Sequence, residues 1–169
     1  MSGRDYIVDP EKIDYSQVVA DIEAIRRCNR QRGAMEQLTA IVYDDPEKNI
    51  CIAYRDISPA EFWVAGHMPE MSLMPGVIMC EAAAQVCSFH SCRHDLLGCE
   101  VVGFGGLNHV RFRDMVFPGD RLTIVTQMTQ LRRGRMIVSR FEEFVGNSLV
   151  CEGEIRGVPL PLDELPRDR

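Results

Sequence analysis

The stretch GHMPEMSLMPGVIMCEAAAQ, Gly66 to Gln85, carries the strongest structural signal in the chain. Its first half is a loop interrupted by prolines, and its second half predicts a helix from about Pro75 to about Leu97. Proline suits the first turn of a helix because an N–H at that position has no intrahelical partner. The predicted helix is apolar on nearly every side, which indicates that it is buried in the middle of the domain.

Glu81 is the one carboxylate inside this apolar run. Burying an uncompensated carboxylate is costly, so its position calls for a reason. A desolvated carboxyl has a raised pKa and is therefore suited to hold and donate a proton. The alternative is a carboxylate that complements the dipole at the start of the helix, an effect of roughly 0.3–1 kcal/mol.

Two further residues of the stretch are candidates for chemistry. His67 follows Gly66, and an imidazole that titrates near neutral pH is a natural general base or acid. Gly76, at the start of the helix, would let a substrate oxygen approach free backbone N–H groups. The plainer alternatives are a loop histidine hydrogen-bonded to the backbone and a glycine that only initiates the helix.

The flanking sequence predicts one α+β domain over residues 1–169. A helix is predicted over about residues 14–32, capped by Asp14 or Ser16, and an exposed C-terminal arm over about residues 159–169. Strands are predicted at residues 36–43, 50–55, 101–112, 122–131, 136–145 and 149–158. Short turns between successive strands imply antiparallel pairing. We therefore expect an antiparallel sheet of about six strands wrapped round the long central helix.

Composition narrows the function classes. The 169 residues carry a formal net charge of -6, so no global charge favours nucleic acid or an anionic membrane as a partner. No apolar run reaches the roughly 20 residues that span a bilayer, and the charged N-terminus does not resemble a secretory signal. The seven cysteines include no close CxxC pair, which argues against a disulfide framework or a zinc knuckle. These features predict a cytoplasmic protein.

The Gly66–Gln85 stretch resembles the signature of the FabZ-type 3-hydroxyacyl-(acyl-carrier-protein) dehydratases, which have the hotdog fold. The matching motifs are His67-Met68-Pro69, Met74-Pro75-Gly76-Val77 and Glu81-Ala82-Ala83-Ala84-Gln85. The segments Val110-Arg111-Phe112-Arg113 and Val116-Phe117-Pro118-Gly119-Asp120 resemble a second signature of the family. Together the motifs identify the chain as similar to this family over most of its length.

The chain also departs from the family pattern. Met68 stands where the family usually has Phe, and Ser72 where it usually has Pro. The upstream His-Arg-Tyr-Pro run of the family is replaced by Gln31-Arg32-Gly33. Glu81, rather than Asp, points to the branch that only dehydrates and does not isomerise the double bond.

The resemblance implies dehydration of (3R)-3-hydroxyacyl thioesters to trans-2-enoyl thioesters in fatty acid or related lipid biosynthesis. His67 would remove the C2 proton, and Glu81 would protonate the departing hydroxyl. The backbone at Gly76 and Val77 would polarise the thioester carbonyl. The alternative in which His67 makes both proton transfers and Glu81 orients water stays open.

Gln85 would position Glu81, and Met68 and Met74 would line the acyl tunnel. No metal or redox cofactor is implied.

The resemblance also implies partners. The substrate would arrive on acyl carrier protein, and each site would combine His from one subunit with Glu from the other, in a homodimer or a trimer of dimers. The arginine groups at residues 26–27, 30–32 and 132–135 could meet the acidic carrier protein. A solvated charged face is the plainer reading of any one group.

Two other function classes stay open, namely a non-catalytic acyl-binding or carrier-interacting hotdog protein, and a hotdog thioesterase or enoyl-CoA hydratase. Retention of both His67 and Glu81 favours the lyase, because a mere binder has no use for a buried proton donor.

Cys87, His90 and His94 share one helical face at a spacing that a metal could use. Without an evident fourth ligand, no metal is predicted.

Overall fold

In the computed structural model, the described residues are 5–162. They form two α-helices, α1 (Ile22–Cys28) and α2 (Gly76–Arg93). The six strands are β1 (Ala40–Asp45), β2 (Ile50–Asp56), β3 (Val102–Phe112), β4 (Arg121–Arg132), β5 (Met136–Val145) and β6 (Ser148–Pro159). Two short 3₁₀ helices cover Pro10–Lys12 and Gly33–Met35.

All six strands form one antiparallel sheet in the order β1-β2-β4-β5-β6-β3. Three tight turns join β1 to β2, β4 to β5, and β5 to β6. Each contains a residue with positive φ, namely Asn49, Gly134 and Gly146, residue types that adopt this conformation readily. The long connection from β2 to β3 carries α2, and β3 then pairs with β6 at one edge of the sheet.

Helix α2 lies on one face of the sheet and packs against β2 to β6. Ten of its 18 residues are buried, which explains why it is apolar all round. Ala82 and Ala83 are fully buried, and their small side chains allow the sheet to approach the helix closely. The α+β architecture predicted from the sequence, with a sheet curved round a long helix, is confirmed.

The N-terminal segment covers the opposite face of the sheet. Tyr6, Ile13 and Tyr15 pack against apolar side chains of β1, β2, β4 and β5. The Tyr6 ring meets Phe144 edge-on with ring centroids 5.3 Å apart. Both faces of this part of the sheet are therefore covered within one chain, which explains the apolar character of the strands on both sides.

The prediction of a helix over residues 14–32 is wrong in its bounds, because α1 covers only Ile22–Cys28. Asp14 does not cap a helix, since its side chain accepts a hydrogen bond from the Ser16 N–H at 2.8 Å within a turn. The side chain of Asp21 caps α1 instead. The polar side chains that suggested an early cap belong to a turn.

The backbone before α1 is extended because Ala20 pairs with Ile41 of β1. The first strand also begins later than predicted, at Ala40 rather than at residue 36. Gln37 is buried, and its N–H bonds to the side chain of Gln85 rather than to a neighbouring strand. Tertiary contacts therefore override the local pattern in this segment.

The predicted C-terminal arm, residues 159–169, starts inside the fold. Pro159 ends β6, and the Leu160 N–H donates to the Val101 carbonyl at 3.0 Å. Residues 163–169 of that arm lie outside the described residues. Within residues 5–162, neither helix is long and apolar enough to cross a membrane.

Candidate active site

Glu81, in the second turn of α2, lines a cavity of about 250 Å³ between the helix and the sheet. The other walls come from α2 and from β3, β5 and β6. They include Ala84, Cys87, Ser88, Val102, Phe104, Ile137, Ser139, Ile155 and Gly157. The Leu160 side chain covers Gly103, because a Cβ on that glycine would lie 2.6 Å from Leu160. The cavity combines mainly apolar walls with hydroxyl groups and one carboxylate.

Two amide groups hold one oxygen of the Glu81 carboxylate. Glu81 Oε1 accepts a hydrogen bond from Gln85 Nε2 at 2.8 Å and a longer one from Gln31 Nε2 at 3.3 Å. Among residues 5–162, no donor is found for Oε2. A proton on this carboxyl would therefore sit on Oε2, because Oε1 already serves as an acceptor.

Gln85 joins Glu81 to the segment before β1. The Gln85 side-chain oxygen accepts the Gln37 N–H at 2.9 Å, and its Nε2 also donates to the Met35 carbonyl at 2.7 Å. These bonds orient the buried amide so that its NH₂ group faces Glu81. The structure thus places Gln85 in direct contact with the carboxylate that the sequence predicted it to position.

His67 lies in the loop before α2, with its Nδ1 2.8 Å from the Leu73 carbonyl oxygen. A carbonyl oxygen only accepts, so Nδ1 carries the proton and Nε2 is the basic nitrogen of the neutral ring. The His67 backbone is anchored too, since its N–H donates to Trp63 at 2.8 Å. The loop therefore holds an imidazole whose free nitrogen can act as a base.

Gly76 is the first residue of α2, where the N–H groups of Gly76 and Val77 lack intrahelical partners. A Cβ on Gly76 would lie 2.7 Å from the ring of Phe112, closer than side chains approach. The Phe112 ring therefore packs directly over the start of α2. A larger residue at position 76 would require this ring to move, so glycine allows the ring to pack there. No side chain caps the first N–H groups of the helix.

The single chain does not bring His67 and Glu81 together. Among the described residues, His67 does not line the Glu81 cavity and makes no hydrogen bond to Glu81. Neither predicted tunnel methionine lines that cavity, since Met74 is buried in the core and Met68 is 46% exposed. The tunnel roles of Met68 and Met74 stay predictions.

A second polar cluster lies at the C-terminal end of α2. The buried Asp44 carboxylate contacts His90 Nδ1 at 2.5 Å and His94 Nε2 at 2.9 Å. Burial opposes ionisation of Asp44, but hydrogen bonds from the two histidines hold the pKa of this carboxyl below its ordinary value. Cys87, predicted to share their face, lines the Glu81 cavity instead.

Another buried carboxylate, Glu143 of β5, faces α2. It is fully buried, and neither carboxylate oxygen has a hydrogen-bond partner among the described residues. Burial, and secondarily the Cys80 thiol, raise the pKa of Glu143 well above its ordinary value, which favours the protonated acid. Cys80 immediately precedes Glu81 in α2, so the Glu143 carboxyl lies beside the same turn of the helix that carries the candidate site.

Sequence reasoning missed Gln31 and Phe112 as site residues. Gln31 lies in the run that departs from the family signature, and its proximity to Glu81 arises only from tertiary packing. Phe112 was part of the second signature, but nothing in the sequence places its ring over Gly76. An aromatic residue at a strand end signals packing rather than a site.

Comparison with known proteins places this chain in a family. The FabA-like domain matches residues 30–154. The 3-hydroxyacyl-(acyl-carrier-protein) dehydratase FabZ of Clostridium kluyveri is 30% identical over 115 residues, which cover 68% of this chain and 78% of that protein. The FabZ of Clostridioides difficile is 36% identical over 104 residues, covering 62% of this chain and 72% of that protein.

A solved structure shows the same fold at low sequence identity. The dehydratase heterocomplex ApeI:P from Xenorhabdus doucetiae matches with a TM-score of 0.67 and 16% identity, covering 83% of this chain and 93% of that one. The family match extends over Gln31, His67, Gly76 and Glu81. The chain therefore belongs to the FabA-like family, as a FabZ-type member with the hotdog fold.

Proposed function

We propose that this protein dehydrates (3R)-3-hydroxyacyl thioesters on acyl carrier protein to trans-2-enoyl thioesters. The observation that carries the proposal is Glu81, whose carboxylate is held through Oε1 by Gln85 and Gln31 at the edge of a cavity. This arrangement leaves Oε2 free to exchange a proton with a bound molecule. The FabZ relative in Clostridium kluyveri is named for the same reaction.

Each group has one task in the proposed reaction. His67 Nε2 removes the proton from C2, because Nδ1 is bound to the Leu73 carbonyl. The N–H groups at Gly76 and Val77 stabilise charge on the thioester oxygen, an effect of roughly 10²–10³ in rate for one such donor. Glu81 Oε2 gives its proton to the C3 hydroxyl. The C2–H and C3–O bonds break, the C2=C3 bond forms, and water leaves.

The proposed active unit is a homodimer. Within one chain His67 does not reach the Glu81 cavity, so a second subunit must supply the base. The edge strand β3 exposes three apolar side chains, with exposed fractions of 50% for Phe104, 40% for Leu107 and 53% for Phe112. An unpaired strand edge with exposed apolar side chains is suited to pair with another chain.

Carrier-protein docking is assigned to the arginine-rich recess beside α1. Arg26, Arg27, Arg30 and Arg32 line this recess together with Glu100. Arg26 is already paired with Glu23 and Glu36, and Arg30 with Glu100, so Arg27, which is exposed, is the better candidate for contact. Charge reversal of Arg27 should raise KM for carrier-bound substrate and leave KM for the coenzyme A thioester unchanged. Binding that does not weaken with salt would contradict this dock.

The reaction is tested with crotonyl thioesters of both acyl carrier protein and coenzyme A, by following the loss of enone absorbance on hydration. Glu81→Gln and His67→Ala should each lower kcat by about 10³-fold or more, since each removes a proton-transfer group. Full activity in either purified variant would refute the assignment. Thioester hydrolysis in place of hydration would identify a thioesterase.

Glu70→Gln provides a matched control, because Glu70 is an exposed carboxylate in the loop between His67 and α2. This variant should keep wild-type activity. Size-exclusion chromatography of Glu81→Gln should show an unchanged assembly, so that loss of activity reflects chemistry. Mixing inactive His67→Ala with inactive Glu81→Gln subunits should restore activity in heterodimers, and failure to do so would contradict a shared site.

A further inference from the structure

A cluster of metal-binding side chains lies outside the candidate active site. Donor atoms of Asp44 in β1, Cys51 in β2 and His90 in α2 lie within 4.8 Å of one another. His94, one helical turn after His90, places its Nε2 2.9 Å from Asp44 Oδ2. The Asp44 and His90 side chains are 2% and 4% exposed and Cys51 is fully buried, whereas His94, at the edge of the cluster, is 22% exposed.

The nitrogen of His90 that faces Asp44 is Nδ1. It lies 2.5 Å from Asp44 Oδ1, so an ion bound there would replace the hydrogen that joins these two atoms. The other ring nitrogen, Nε2, points away from Asp44 and is buried with no hydrogen-bond partner among the described residues. Nε2 would carry the ring proton when Nδ1 binds the ion.

We propose that Asp44, Cys51, His90 and His94 bind one divalent cation of the zinc class. One carboxylate, one thiolate and two imidazoles form a four-donor set suited to tetrahedral zinc. Donors around such an ion lie roughly 3.5 Å apart for bonds of about 2.0–2.3 Å. Asp44, Cys51 and His90 already have donor atoms within 4.8 Å of one another, and the His94 side chain, which lies outside that set, must turn toward them to complete it. The carboxylate and the thiolate balance the two charges of the cation, and Cys51 releases its thiol proton on binding.

Arg93 is the group that competes with the cation. Its Nε lies 3.4 Å from Asp44 Oδ2, and its side chain is 40% exposed. Without metal, this guanidinium compensates the buried Asp44 charge. With metal, Arg93 can turn to solvent, so its removal should strengthen metal binding.

The position of the cluster indicates a structural role. Cys51 and Asp44 belong to the β1–β2 hairpin, whereas both histidines belong to the C-terminal end of α2 and the residue that caps it. His90 lies nine residues after Glu81, about 13 Å along the helix. Four protein donors in an enclosed site leave no open position for substrate. The cation would therefore fasten the hairpin to α2 rather than take part in turnover.

The test uses the full-length protein, stripped with chelator and then titrated with Zn²⁺ alone. We expect one ion per chain and a melting temperature raised by about 5–10 °C at a hundredfold excess of Zn²⁺ over Kd. With Co²⁺, a thiolate-to-metal absorption band should appear and should be lost in Cys51→Ser. The Arg93→Gln variant, changed at a partly exposed position, should bind Zn²⁺ several-fold to about tenfold more tightly.

Two controls separate this cluster from other metal ligands in the chain. Cys99→Ser removes a thiol that bonds to the Val101 carbonyl instead, and His67→Ala removes the candidate catalytic imidazole. Neither should change Zn²⁺ binding. Absence of stoichiometric Zn²⁺ with an unchanged melting temperature would overturn the proposal. Undiminished binding in His90→Gln, or weaker binding in Arg93→Gln, would also overturn it.

Discussion

The carboxylates near the two ends of α2 are held in opposite ways, and they also differ in burial, since Glu81 is partly exposed whereas the Asp44 side chain is 2% exposed. Near the N-terminal end, Glu81 is held through one oxygen only, and the first N–H groups of the helix are unpaired. Near the C-terminal end, both oxygens of Asp44 are bound by His90 and His94. A carboxylate with a free oxygen at a cavity can exchange protons, whereas one that is fully bound stabilises the fold. The candidate site differs from the structural cluster because one oxygen of Glu81 has no hydrogen bond among the described residues and because Glu81 is partly exposed.

The largest combined effect, on stability and on turnover together, should come from removing the side chain that supports Glu81 in the N-terminal site. Gln85→Leu keeps the side-chain volume but removes the amide that contacts Glu81, Gln37 and Met35. We expect a loss of about 2–4 kcal/mol in stability, because several buried partners lose their hydrogen bonds. Turnover should fall by at least about 100-fold. Urea unfolding and the crotonyl assay measure both, and wild-type kcat in the variant would contradict a positioning role.

Disruption of the C-terminal cluster should affect stability and leave turnover intact. Asp44→Asn removes the negative charge that His90, His94 and Arg93 share. Removing one partner of a buried ionic group costs about 3–5 kcal/mol, so a marked drop in the urea midpoint is expected. The kcat of the folded fraction should equal that of wild type. A selective loss of kcat with unchanged stability would reverse the roles assigned to the two ends.

Glu143 sharpens the comparison through pH. The pKa of Glu143 is raised in the folded state. Its contribution to folding stability is therefore complete below the pKa of Glu in the unfolded chain, near 4.3, and is lost as pH rises toward the folded-state pKa. Glu143→Gln cannot ionise, so it should gain stability relative to wild type between pH 4.5 and pH 8. The gain should grow as pH rises across this interval. A stability difference that does not change with pH would show that Glu143 is not neutral in the fold.

The smallest effect should come from Gln31, which makes the longer of the two bonds to Glu81. Gln31→Ala should lower kcat by about tenfold, equivalent to about 1.4 kcal/mol, and leave stability nearly unchanged. Glu70→Gln, which changes an exposed loop residue, is the control. If both variants have the same kcat, Gln31 does not contribute to catalysis through Glu81.

Prediction from sequence succeeded where the local pattern and the tertiary environment agree. The strand at residues 136–145 has the predicted bounds, because it is rich in β-branched and aromatic residues and a glycine turn flanks it on each side. The predicted bounds of the helix and strand between residues 14 and 38 were wrong because the backbone there forms hydrogen bonds with residues far away in sequence. Ala20 pairs with Ile41, and Gln37 binds Gln85, and neither contact leaves a periodic signal.

The sequence alone determined that a buried helix would carry Glu81 within a sheet of antiparallel strands, and that His67 and Gly76 would precede it. Hydrophobic periodicity, turn residues and motif spacing are local properties, so they can be read directly from the chain. Only the tertiary structure decided which oxygen of Glu81 is held, that Phe112 covers Gly76, and that Asp44 joins His90 and His94. Those contacts link residues far apart in sequence, and the packing of the whole domain sets them.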